Sequence, residues 1–172
     1  MPDTHDSNWR SFVGETGVIR TGDWENPSDS SQYDDLFKCS SCIGFGADGL
    51  DIAGGSREDS VDCVRGSNYS FRRCIIRGST TIKGSINGWL FEDNEVHAQI
   101  EVGQFDNYWN PGTPPTRGGV IRRTYHPGGK VKVVLWNADV PTIEGSDVQI
   151  TKVPWVVWFP YFCWRYIYIR LF

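Results

Sequence analysis

The chain repeats itself, and that restricts its fold more than anything else in it. Phe71-Arg72-Arg73-Cys74-Ile75-Ile76 lines up with Phe91-Glu92-Asp93-Asn94-Glu95-Val96 twenty residues later. The turns ahead of these segments also repeat, with Val64-Arg65-Gly66-Ser67-Asn68 matching Ile82-Lys83-Gly84-Ser85 and then Asn87. A third copy follows at Ile143-Glu144-Gly145-Ser146-Asp147-Val148-Gln149-Ile150, and a shorter pattern links Asp48–Ile52 with Asp59–Cys63. Self-similarity at such a spacing is the mark of a stacked repeat, in which each unit buries its apolar face only against its neighbours. The strand-like pieces alternate with period two, as in Leu50-Asp51-Ile52, Val61-Asp62-Cys63, Val96 to Val102 and Val148-Gln149-Ile150. No helical stripe is sustained before about residue 153. The expected unit is a coil of about 20 residues, each strand bonded to its counterpart in the next. Phe71 then lies over Phe91, and Cys74 over Asn94. An ordinary β-sandwich is the alternative.

The stretch from Gly46 to Ile52, continued by Glu58 to Cys74, resembles coils of the pectate-lyase-like superfamily. Ile143–Ile150 does so too, and Val131–Trp136 more weakly. The resemblance covers residues 36–150 and rests on coil-forming residues, so it speaks for fold rather than for an activity. It implies an all-β right-handed parallel β-helix (a β-solenoid) of about five coils, occupying residues 1–152. Residues 103–130 hold Trp109-Asn110-Pro111-Gly112-Thr113-Pro114-Pro115 and His126-Pro127-Gly128-Gly129, and are expected as a long loop excursion. Residues 153–172 form a separate hydrophobic, aromatic segment.

A length of 172 residues is that of one domain able to bury a core. A net charge of −4, without a Lys/Arg run, argues against a nucleic-acid partner, because neutralising phosphates takes a basic face. Met1 to Asp6 lacks the basic and apolar regions of a secretory signal. The expectation is a signal removed, or export by another route. Five cysteines, including Cys39-Ser40-Ser41-Cys42, leave zinc, a disulfide or buried thiols open. Buried thiols acting as small hydrophobes are preferred, since the spacing fits no common zinc ribbon.

Two clusters bear on chemistry. The first is Asp48, Asp51, Asp59 and Asp62: Asp51 and Asp62 point outward if the apolar residues that they flank point in, Asp48 and Asp59 suit turns, and carboxylates on adjacent coils can share a Ca²⁺ ion. The plainer expectation for them is a solvated acidic ridge, so no cofactor is required, with Ca²⁺ as the one candidate. Arg72 and Arg73 are the candidate catalytic residues, because in the lyases that the chain resembles an arginine removes the proton beside a uronate carboxyl. The paired arginines with an intervening proline that mark those enzymes are missing. Arg65, Arg72, Arg73 and Arg77 are therefore expected to pair with Glu58, Asp59 and Glu92 on neighbouring coils. His5, His97 and His126 lie far apart, and no P-loop or nucleophile-elbow motif is present.

The C-terminal twenty residues hold nine aromatics. The uncharged run from Val153 to Trp164 spans only about 18 Å as a helix, short of a hydrocarbon core of about 30 Å. Membrane contact is thus the less favoured expectation, and a cap or a subunit interface the preferred one. Trp155, Trp158, Phe159, Phe162, Trp164, Ile167, Ile169 and Leu171 are the candidate assembly residues. Taken together, the sequence predicts a non-catalytic structural protein that self-associates, a component of a virion, surface appendage or extracellular filament. A polysaccharide ligand, or a uronate lyase activity, is the alternative.

Overall fold

A computed structural model describes residues 12–19, 37–52, 59–104, 113–154, 157 and 160. Among these residues there are fourteen strands: β1 (Phe12–Ile19), β2 (Phe37–Ser40), β3 (Gly46–Ile52), β4 (Val61–Val64), β5 (Ser67–Arg72), β6 (Ile75–Ile76), β7 (Thr80–Lys83), β8 (Asn87–Glu92), β9 (Glu95–Val96), β10 (Ile100–Gln104), β11 (Arg117–Arg122), β12 (Val131–Leu135), β13 (Thr142–Glu144) and β14 (Val148–Lys152).

They form two parallel sheets. The eight-stranded sheet runs β13-β11-β8-β5-β3-β6-β9 with β1 on β3, and is curled into a half-barrel. The six-stranded sheet runs β14-β12-β10-β7-β4-β2. This corrects the expectation of a right-handed parallel β-helix, a regular solenoid of about five coils. The physical reason lies in β3 and in the spacing. β3 bonds β5 through Gly46–Asp48 and β6 through Asp51–Ile52, while β1 takes its other edge, so the larger sheet branches and curls. Nor is the interval constant: the register Asp48↔Arg72↔Glu92↔Arg122↔Glu144 steps by 24, 20, 30 and 22 residues. The twenty-residue period is that of one step only. The pairing expected for that step does hold. Phe71 is paired with Phe91 in parallel, their rings stacked with centroids 5.3 Å apart, and the side chain of Asn94 bonds the amide of Cys74.

The segment 103–130, expected as a loop excursion, contains β11, in register with β8. Glycine makes that strand possible. Trp89 lies against Gly119, where a Cβ would fall inside the indole. Thr113, Pro114 and Pro115 lead into β11 rather than displacing it.

Between the sheets lies an apolar core. The larger sheet contributes Ala47, Phe71, Phe91, Ile121, Ile52, Ile76 and Val96, and the smaller one Val61, Cys63, Ile82, Ile100, Val102, Val133 and Leu135. Five strands of the larger sheet share one backbone feature. Gly49, Arg73, Asp93, Arg123 and Gly145, which follow the aligned residues above, all have positive φ. The left-handed conformation costs an ordinary L-residue about 1–2 kcal/mol, so the turn must be held by something besides the backbone. Behind it, Asn94 donates from Nδ2 to the Phe71 carbonyl and accepts from the Cys74 amide. Thr124 and Ser146 take corresponding places on the next two strands: the Thr124 hydroxyl donates to the Phe91 carbonyl, and Ser146 Oγ accepts from the Thr124 amide.

Candidate functional site

The turn that follows these strands brings together most of the charged residues singled out in the sequence. Asp48, Arg72, Glu92, Arg122 and Glu144 are register partners, one per strand, alternating in sign. Arg72 Nε lies 3.3 Å from Glu92, Arg122 Nη1 3.1 Å from Glu92, and Arg122 Nε 2.5 Å from Glu144. A second row runs beside the first. Arg73 pairs with Asp48, and Arg123 reaches Asp93 at 2.6 Å and Glu92 at 2.9 Å. Cross-strand pairs of opposite sign are favourable in any sheet, and here they form two adjoining columns rather than isolated contacts. Desolvation pushes the Glu92 carboxyl up, but its hydrogen bonds from Arg122 and Arg123 outweigh this and hold it below the usual range. Arg123 holds Asp93 down by a direct hydrogen bond.

Of the candidate catalytic residues, Arg72 is thus paired with Glu92 and Arg73 with Asp48. Asp51 receives both Nε and Nη2 of Arg77, each at 2.7 Å. Asp62 is buried on β4 between Lys83 at 3.0 Å and Lys38 at 3.4 Å. Asp48, Asp51 and Asp62 therefore sit with separate cations, and among the described residues no three His, Cys, Asp or Glu side chains converge as metal ligands. Asp59 precedes β4 and is partly exposed. Arg72 meets Glu92, one of the carboxylates expected from the sequence, while Arg73 and Arg77 meet Asp48 and Asp51; Glu58 lies outside the described residues.

One constellation escaped the sequence reading. His97 Nε2 donates to Glu95 Oε1 at 2.6 Å, and the Tyr125 hydroxyl donates to Glu95 Oε2 at 2.5 Å. His126 Nε2 lies 3.2 Å from the His97 carbonyl, to which it donates. The two hydrogen bonds, from Tyr125 first and then His97, hold the Glu95 carboxyl below its ordinary range, and Glu95 in turn raises the Tyr125 phenol. The Glu95 carboxylate fixes the orientation of the His97 imidazole. It lies on the open face of the sheet, with Tyr125 54% exposed, rather than in a dry cavity that would strengthen its electrostatics. Glu95 was visible as the twenty-residue partner of Ile75. Tyr125 was not, because the next interval is thirty residues long.

Cys39 and Cys42 are joined in a disulfide, whereas Cys63 and Cys74 are buried thiols. Only the second pair matches the expected role of small hydrophobes. The assembly residues Trp155, Trp158, Phe159, Phe162, Trp164, Ile167, Ile169 and Leu171 lie outside the described residues. Among the described residues, no helix is long and apolar enough to cross a membrane.

No family model matches this chain, and neither a curated protein nor a solved structure does. Nothing in these comparisons identifies the pectate-lyase-like superfamily.

Proposed function

We propose that the chain is a non-catalytic structural protein, an assembly component of a virion, surface appendage or extracellular filament. One observation carries the reading: the arginines and aspartates that chemistry on an acidic sugar would need are spent on one another. Arg72 and Arg73 face Glu92 and Asp48 across neighbouring strands, within columns that reach from β3 to β13. A group that acts on a substrate must be free to reach it, and both guanidiniums are already engaged by carboxylates of neighbouring strands. The same pairs tie five strands together, as a rigid scaffold requires. The Cys39–Cys42 disulfide suits an oxidising compartment outside the cell.

Self-association through residues 153–172 belongs to this proposal. Nine aromatics in twenty positions are more than a lone monomer exposes as one patch. Each large apolar side chain buried in a contact contributes roughly 1.5–3 kcal/mol. Sedimentation of the full chain, beside a chain ending at residue 152, tests this part. The full chain is expected as an oligomer and the shortened one as a smaller species. A monomeric full chain in detergent-free buffer overturns the assembly role. Incubation with uronate-rich polysaccharide and Ca²⁺ tests the rest. An unsaturated, ultraviolet-absorbing product that disappears in Arg72→Ala or Arg73→Ala would establish the lyase instead.

A further inference from the structure

Among the described residues, Cys39 has two cysteines within reach, and one of them is used. Its disulfide partner Cys42 is three residues on, across the turn that leaves β2, with the Cα atoms 6.1 Å apart. On the other side stands Cys63, the direct register partner of Cys39 on the neighbouring parallel strand β4. Register partners of a ladder point to the same face, and adjacent strands lie about 4.8 Å apart. That spacing falls inside the Cα range of about 4.4–6.8 Å that a disulfide spans. All three side chains are buried in the same core, Cys39 at 1%, Cys42 at 3% and Cys63 at 0% exposure. Cys74 stands apart from this group, on the turn after β5, bonded to Asn94 and to the Arg72 carbonyl.

We propose that Cys39, Cys42 and Cys63 form a thiol–disulfide exchange site, in which the Cys39–Cys42 bond is traded for a Cys39–Cys63 bond between strands. The thiolate of Cys63 attacks Cys39 Sγ, the new S–S bond forms as the old one breaks, and Cys42 leaves as a thiolate that takes up the proton Cys63 gave. One disulfide and one thiol stand on each side, so no oxidant or reductant is consumed. The two states differ in what they join. The first closes a turn of β2 on itself, whereas the second fastens β2, at one end of the smaller sheet's strand order, to β4. Exchange therefore sets whether that edge is covalently anchored. Burial, and then the neighbouring Asp62, push the Cys63 thiol up, which makes the reaction slow at neutral pH and promoted by base.

Disulfide mapping tests it directly. Trypsin cuts after Lys38, Arg57 and Arg65, so Cys39 and Cys42 share one peptide while Cys63 lies on the next. Purified protein is held at pH 7 and pH 9 without reductant, alkylated and digested without reduction. The expected result is a linked pair of peptides, 39–57 with 58–65, that builds up faster at pH 9, together with alkylated Cys42. Cys42→Ser removes the competing partner. Treated with oxidised glutathione, it is expected to give the Cys39–Cys63 link as its main intramolecular disulfide. Cys63→Ser should hold only the Cys39–Cys42 bond at both pH values. Circular dichroism melts establish that the variants are folded. A folded Cys42→Ser protein with Cys39 and Cys63 left unlinked overturns the proposal, as does wild-type protein showing only the Cys39–Cys42 bond at pH 9.

Discussion

Asn94 holds Cys74 from the next strand: its Oδ1 accepts from the Cys74 amide at 2.8 Å, while its Nδ2 donates to the Phe71 carbonyl at 2.9 Å. Both bonds are buried, and both backbone groups belong to the left-handed turn around Arg73. Asn94→Ala strands a donor and an acceptor in the core, where each unmet group costs about 1–3 kcal/mol. The expected loss is about 2–4 kcal/mol in a urea titration. A loss below about 1 kcal/mol would mean that water replaces the amide and that the turn does not depend on it.

Gly119 supplies the space that Trp89 occupies. The indole is nearly fully buried and makes an edge contact with Phe91, and a Cβ at 119 overlaps its ring. Gly119→Ala should destabilise by about 1–3 kcal/mol through overpacking. Adding Trp89→Phe should return part of that loss in a double-mutant cycle. Strictly additive effects would show that the glycine is needed for its backbone and not for the indole.

The carboxylates of the turn make stability sensitive to acid. Glu92, Asp93 and Glu95 are all held below their ordinary values when folded, by Arg122 and Arg123 against desolvation, by Arg123, and by Tyr125 with His97 respectively. A lowered folded pKa contributes stability that is complete above the unfolded value, about 4 for these groups, and is lost as pH falls through the folded one. Melting temperature should therefore hold level from pH 7 to about pH 5 and fall below that. Because the pairs are exposed, added salt should flatten the profile. A melting temperature that rises on acidification contradicts the assignment.

What the sequence made legible was local. Phe71 over Phe91 and Cys74 beside Asn94 were readable because both members of each pair lie one twenty-residue interval apart. The global path was not readable, since the residues added between Gln104 and Arg117 and before Val131 lengthen the interval without leaving a mark on the strands they join. The branch at β3 was hidden for another reason. Whether a seven-residue strand bonds one neighbour or three is decided by how it bends, and Gly49 inside it, at φ +71°, looks like any turn glycine. Among site residues, alternation put Asp51 and Asp62 opposite their apolar neighbours but did not show that Asp62 is buried, and which cation each one meets depends on the register. His97 and His126 met for the same reason, though they are far apart in sequence.

Calcium should leave the protein unchanged. Asp48, Asp51 and Asp62 each lie beside an arginine or lysine, and a Ca²⁺ ion would have to displace those cations and gather carboxylates that do not converge. Calorimetry at millimolar Ca²⁺ is expected to show no binding heat, and the melting temperature to stay constant. A saturable heat lost in Asp51→Asn would restore the metal site.

Asp62 is the buried member of this acidic group, and the two lysines beside it should not be equivalent. Its carboxylate is 1% exposed, Lys83 lies 3.0 Å away and 22% exposed, and Lys38 lies 3.4 Å away and 53% exposed. A charge in low dielectric needs its closest, least hydrated partner most, because the attraction grows as water is excluded. Lys83→Met should cost about 3 kcal/mol, at the low end for breaking a buried pair because Lys38 remains. Lys38→Met should cost under about 1 kcal/mol, as expected of an exposed partner. Making Asp62→Leu in the Lys83→Met background removes the stranded charge, and stability should return toward wild type. Chemical denaturation of the four proteins supplies the comparison. Equal losses for the two lysines, or no recovery in the double variant, would show that Asp62 does not depend on the Lys83 charge.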